Sequence, residues 1–302
     1  MLRVPRGGRQ RREEGVPRRR HAGDGAAASA SARRSGKTRL DADPELESYV
    51  ISGLLARWSP EQIANRVAED YADDMEMRIS DEAIYRYVYV MPKGEVKAAL
   101  VAGLRRERAE RRARVPGGRK AEKRGRISGM TSIEERPAEV ADRSVPGHWE
   151  SDLVVGARNA SAIATLVERT TRYTLLVPLP RGKDAASVRK ALERAVARIP
   201  EFLRKSMTHD QGKELAEHGL FAAASGMTVY FAHPHSPWER GTNENTNGLV
   251  RQYFPKGTDF SRVSARETRK CQDGLNDRPR KILNYFTPNE AIGELMKRRA
   301  KS

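Results

Sequence analysis

From about residue 145 the chain alternates short runs of β-forming residues with amphipathic helical stretches, and their order leaves few folds open. His148 to Val155 reads as a first strand, Ala162 to Glu168 as a second and Tyr173 to Leu179 as a third. A turn at Arg169-Thr170-Thr171 joins the last two. Asp184 to Ile199 carries Val188, Leu192, Val196 and Ile199 in helical phase. Ser206 to Asp210 is a short fourth strand, a helix starts within Gly212 to His218, and Met227 to Ala232 is a fifth strand. Ser236 then caps another helix, with Pro237 at its first position and Glu239 placed to complete a capping box.

Three strands, a helix, then strand, helix, strand, helix is the order of an RNase H-like sheet. The expected fold class is α/β: a mixed five-stranded RNase H-like sheet with flanking helices over 145–300. Three acids fall where such a sheet gathers them: Asp152 on the first strand, Asp210 at the end of the fourth, and Glu244 two turns into the helix after the fifth. Gly248 and Arg251 share the Glu244 face, with Asn247 beside them. A glycine there leaves room for a phosphate backbone, and Arg251 and the asparagines can donate to its oxygens. The run Asn243-Glu244-Asn245-Thr246-Asn247 is poor helix-forming material, which argues for a site.

Three carboxylates fit phosphodiester chemistry run by two divalent ions, because hard oxygen ligands hold Mg²⁺ or Mn²⁺ about 4 Å apart. Without cations the same acids would repel one another. Glu150 and His148 share the strand face of Asp152, so Glu150 either supports that shell or is structural. His209, beside Asp210, is either a phosphate contact or an exposed histidine of no special role.

Residues 41–98 read as an all-α helix-turn-helix domain. Leu46, Tyr49, Val50, Leu54 and Leu55 recur at helical spacing, and Ser59-Pro60-Glu61-Gln62 is a capping box before Ile63 and Val67. A loop through Asp73, Asp74 and Met75, longer than such turns usually are, leads to a second cap at Ser80 and to Ile84, Tyr85, Tyr87 and Val88. Residues 1–40 are an Arg/Gly/Ala/Ser arm expected to be disordered, and 99–144 a basic linker broken at Pro116-Gly117-Gly118. Lys and Arg number 57 against 40 Asp and Glu, a net charge of +17, which calls for a polyanion such as nucleic acid. Cys271 is the single cysteine, so an intrachain disulfide and a Cys-based zinc site are excluded. With no secretory signal and no long apolar run, the expected location is cytoplasmic and nucleoid-associated, with no membrane partner.

Several motifs closely resemble the transposases of the insertion-sequence 30 family. They are Gly147-His148-Trp149-Glu150-Ser151-Asp152-Leu153, the run from His235-Ser236-Pro237-Trp238-Glu239-Arg240 through Leu249, and Arg251-Gln252-Tyr253-Phe254-Pro255-Lys256-Gly257-Thr258. Leu275-Asn276-Asp277-Arg278-Pro279-Arg280, Thr287-Pro288, Trp58-Ser59-Pro60-Glu61-Gln62-Ile63 and Ile84-Tyr85-Arg86 extend the likeness over about 40–295. The resemblance implies an integrase catalytic core, with Asp152, Asp210 and Glu244 as catalytic and metal-binding triad and two Mg²⁺ or Mn²⁺ as cofactors. It implies nicking of the element's ends by water, then attack of the freed 3′-hydroxyl on target DNA, with no covalent protein–DNA intermediate. The partners implied are double-stranded DNA, as terminal inverted repeats and as target, and further copies of the chain, since two ends must be joined.

Arg66, Arg78, Tyr85 and Arg86 upstream, and Arg240, Asn243, Asn247, Arg251 and Lys256 around the last helix, are the expected DNA contacts. The chain departs from the family in three places. Residues 1–40 do not read as the additional helix-turn-helix with which members begin and look like a truncated or frameshifted start. His233 stands where an Asp is usual, and Asp81 where a His is common. Two other readings compete with an active transposase: a defective copy that occupies element ends as a repressor, and a different RNase H-fold nuclease.

Overall fold

The computed structural model describes residues 38–104, 127–180, 182–234 and 236–301. The expected basic arm, but for its last three residues, and the arginine-rich stretch of the linker lie outside them.

The first unit is helical. Helix α1 (Pro44–Leu55) starts at Asp43, whose carboxylate accepts from the Leu46 N–H at 3.0 Å. Helix α2 (Pro60–Asp70) starts with the expected capping box, Gln62 donating its N–H to Ser59 and accepting from the Ser59 N–H in return. Helix α3 (Asp81–Val90) is capped by Ser80. Leu46, Val50 and Leu54 of α1, Ile63 and Val67 of α2, and Ile84, Tyr87 and Val88 of α3 close one apolar core. Helix α4 (Glu95–Gly103) adds Leu100 to that core, and Leu104 follows it, so this unit continues past the expected boundary at 98.

The second unit is the five-stranded sheet. Strands β1 (His148–Val155), β2 (Ala162–Glu168) and β3 (Thr174–Leu179) form an antiparallel meander, and β4 (Ser206–His209) and β5 (Thr228–Phe231) add in parallel beside β1. The spatial order is β3-β2-β1-β4-β5. This is the RNase H-like arrangement expected from element order, with β1 and β4 central. Side chains alternate across the sheet. One face buries Trp149, Ala164 and Leu166 against Val188, Leu192 and Val196 of α6 (Ala185–Val196) and Phe221 of α7 (His218–Ser225). The other buries Val154, Ile163 and Leu176 against Leu249 and Val250 of α8 (Gly241–Tyr253) and Cys271 and Leu275 of α9 (Ala265–Asn276).

Two expectations about local structure differ. The unit begins before 145, because a 3₁₀ turn at Ile133–Glu135 bridges β5 through Ser132 and Phe231, and α5 (Ala138–Asp142) follows it. The capping box at Ser236 does not form. Pro237–Arg240 is a 3₁₀ turn without a side-chain cap, and Glu239 accepts instead from the backbone and the ring of His233, both at 2.8 Å. Helix α8 therefore opens at Gly241, and Glu244 sits in its first turn rather than its third.

The helical unit docks on the far side of α8 and α9. Gln62 donates to the Pro279 carbonyl at 2.6 Å and accepts from Arg278 at 2.9 Å, and Arg57 donates to the Gln252 carbonyl. Arg66 makes a two-pronged ion pair with Glu290, the residue that completes the cap of α10 (Pro288–Ala300).

Candidate active site

Asp152 lies on β1 and Asp210 directly follows β4, so the parallel pairing of these central strands carries both acids to one end of the sheet. A single guanidinium joins them. Arg240, at the end of the 3₁₀ turn before α8, stands 3.4 Å from an Asp152 oxygen and 3.6 Å from an Asp210 oxygen, and donates to the Ser151 carbonyl at 3.2 Å. Burial holds the Asp152 carboxyl above the usual range, Asp210 adds to that shift, and Arg240 opposes it. The pair thus demands positive charge, and an arginine supplies it.

Helix α8 reaches Asp152. Asn247 donates to the second Asp152 oxygen at 2.7 Å and accepts from Thr165 at 3.0 Å, which fixes the carboxylate's orientation. Glu244 is three residues before Asn247 on the same helix and is exposed. Among the described residues no three His, Cys, Asp or Glu side chains stand close enough to hold one metal ion. The structure brings Asp152 and Asp210 together and leaves Glu244 outside that pair.

Glu150 has a role that the sequence left open. It is fully buried, ion-paired with Arg169, and accepts from the Asn243 N–H of α8 at 3.2 Å. Arg169 also donates to the Val140 carbonyl at 3.1 Å. The carboxylate therefore pins the first turn of α8 to β1, two residues from Asp152. Nothing in the turn-like Arg169-Thr170-Thr171 signals that its first side chain reaches back under β1.

His209 is neither exposed nor a phosphate contact. It is buried between Phe231 and His218, and burial, then Arg240 and His218, push its pKa down to about 3, so the ring is neutral. Strand alternation turns it away from the side of Asp210. His233 is exposed and paired with Glu239, which raises its pKa.

The expected DNA contacts divide. Arg86 and Lys256 are exposed, and Tyr85 packs half-buried on the helical core. Arg66 is committed to Glu290 and Asp70, and Arg78 donates to the Ala68, Tyr71 and Ala72 carbonyls, closing the end of α2. Both make internal joints, because a guanidinium beside unpaired carbonyls or carboxylates is held by them. Arg251 donates to the Val155 carbonyl at 2.7 Å, and the side-chain amide of Asn243 is buried with no hydrogen-bond partner among the described residues. Gly248 is exposed, and a Cβ there would meet nothing within 4 Å, so the fold itself does not require its small size.

Residues 142–237 match the integrase core domain family. Across 85% of its length the chain is 43% identical to the transposase for insertion sequence element IS1086 of Cupriavidus metallidurans, covering 75% of that protein. It is also 43% identical to the transposase InsI for insertion sequence element IS30A of Escherichia coli, over 88% of this chain and 69% of that one. The transposase for insertion sequence element IS4351 of Bacteroides fragilis is 36% identical over 84% of this chain and 74% of its own length.

Proposed function

The chain belongs to the IS30 family of transposases, and from that membership we propose that it cleaves the ends of its own insertion sequence and joins them to target DNA, using Asp152, Asp210 and Glu244 as its metal-binding carboxylates. The observation that supports this most is the pairing of Asp152 with Asp210 across adjacent central strands, with one cation between them.

The donor chemistry fits Mg²⁺ or Mn²⁺. Two carboxylates share an end of the sheet, a third stands one helical turn from the residue that orients the first, and all offer hard oxygens. When bound, two such ions supply activation of the attacking oxygen and stabilisation of the leaving one. The protein's part is positioning. Asn247 and the strand hold Asp152 in one orientation, and Glu150 with Arg169 holds the helix that carries Glu244. Arg240 balances the aspartates' charge in the absence of cations and is the cationic side chain placed to donate to a phosphate oxygen once that charge is balanced otherwise. Arg86 and Lys256 present exposed cations to the backbone, and the helical unit over 41–98 is read as the module that grips the terminal repeats. Joining two ends calls for more than one copy of the chain on DNA.

An in vitro reaction with the element's ends, a target duplex and Mg²⁺ tests this. Joined products are expected. Binding without cleavage would leave only a repressor at the ends, and cleavage without joining would point to another nuclease of this fold.

A further inference from the structure

A second cationic site lies on the other flank of α8. A cleft of about 450 Å³ opens where the helical unit meets the core. Thr242, Asn245 and Thr246 of α8 form one wall and Ser59 and Gln62 of α2 another. Arg143, Arg172, Arg278, Arg280 and Lys281 line it, against one carboxylate, Glu61, which is already bonded to Lys281 at 2.7 Å and to Tyr285 at 3.0 Å.

Arg143 and Arg172 carry the inference. Neither pairs with a carboxylate among the described residues. The Nε of each is buried without an acceptor. Among the described residues Arg172 donates only to the Thr242 hydroxyl, at 2.5 Å, and the Arg143 side chain has no acceptor. Both sit at positive φ, 62° and 61°, a backbone state that a non-glycine residue keeps only where its surroundings impose it. Burial first, then the Arg143 charge, pushes the Arg172 pKa down to about 10, against the opposing pull of Glu150 and Glu168. Buried donors without acceptors and unbalanced charge destabilise a fold unless something anionic arrives.

We propose that this cleft binds a backbone phosphodiester of DNA, held by Arg143 and Arg172. The anion matches the donors, since a guanidinium pair offers forked N–H groups to phosphate oxygens. The location matches too. The cleft lies between the helical unit and the helix that bears Glu244, on the flank opposite Glu244, where a strand gripped by the first unit crosses to the core. The inference rests on the proposed reading of the chain as a DNA-processing enzyme.

The test measures binding of an arbitrary-sequence duplex to the full chain between ~50 and 200 mM salt, because phosphate contacts are independent of sequence. The Arg143→Gln/Arg172→Gln double variant is expected to bind about tenfold more weakly, with a slope of log K against log salt shallower by about one. Arg172→Lys, which keeps the charge, is expected to retain most of the slope. A double variant that folds and keeps the wild-type slope overturns the proposal. So does stabilisation of the wild-type chain, but not the double variant, by inorganic phosphate with DNA affinity unchanged, since the cleft would then take free phosphate. Should the double variant fail to fold, Arg143→Gln alone is read the same way, as it breaks no hydrogen bond of that side chain. A wild-type chain that bound no duplex would sink the transposase reading along with the cleft, whereas normal binding with unaltered variants sinks the cleft alone.

Discussion

Replacing Asp210 by alanine is expected to lower DNA cleavage and joining by at least ~10³-fold, about 4 kcal/mol of transition-state stabilisation, while leaving duplex binding close to wild type. The residue suits the test because it does little for the fold. Its side chain is 44% exposed, and among the described residues the backbone group it accepts from is the Gly212 N–H at 3.3 Å. Removing it leaves Asp152, Asn247 and the strand pairing of β1 and β4 in place. The loss is therefore chemical: one hard-oxygen ligand fewer and one negative charge fewer opposite Arg240. Asp210→Asn is expected to fall nearly as far, since the amide keeps the shape without the charge. Activity within a factor of a few of wild type in either variant would remove Asp210 from the metal-binding set.

The largest effect on stability is expected at Arg169. Arg169→Met leaves Glu150, which has no exposed surface, with the Asn243 N–H but without its ion-pair partner. Uncompensated buried charge of this kind costs about 3–5 kcal/mol. Arg136 lies close enough to Glu150 for their charges to interact, which places the expected loss at the lower end. In a unit of this size that is a fall in melting temperature of about 10 °C. Strand cleavage should fall as well, beyond what unfolding explains, because Glu150 anchors the turn of α8 that carries Glu244. Pairing Arg169→Met with Glu150→Leu removes the stranded charge and is expected to restore much of the melting temperature without restoring cleavage. Thermal unfolding alongside cleavage at a temperature where all variants are folded separates the two. A single variant that melts with the wild type would show that the ion pair does not hold α8.

Much of this was legible before any coordinates. Strand and helix periodicities report which face is buried, so β1 to β5 and α6 could be read in order, and the parallel neighbours β1 and β4 then put Asp152 beside Asp210. Caps are local, and Ser59 with Gln62, and Ser80, formed as their spacing implied. Where a local signal met a stronger tertiary partner it failed. Ser236 and Glu239 have capping-box spacing, but His233 takes the carboxylate, and α8 starts later. Long side chains were least legible of all. An arginine's partner is set by what lies several ångströms away in space, so Arg66 and Arg78 bind the protein itself and Arg240 spans two acids. For the same reason, no local pattern marked the Glu150–Arg169 brace or the cleft at Arg143 and Arg172.

The proposed chemistry requires the carboxylates of Asp152, Asp210 and Glu244 to hold divalent cations. The most direct measurement is a crystal structure of the chain with Mn²⁺ and an element-end duplex, with the ions located by their anomalous scattering. The expected result is Mn²⁺ bound by Asp152 and Asp210, with Glu244 turned in to complete the set and the Arg240 guanidinium moved from between the aspartates to a phosphate oxygen. Mn²⁺ bound elsewhere, with Arg240 still bridging Asp152 and Asp210 and Glu244 facing solvent, would contradict it.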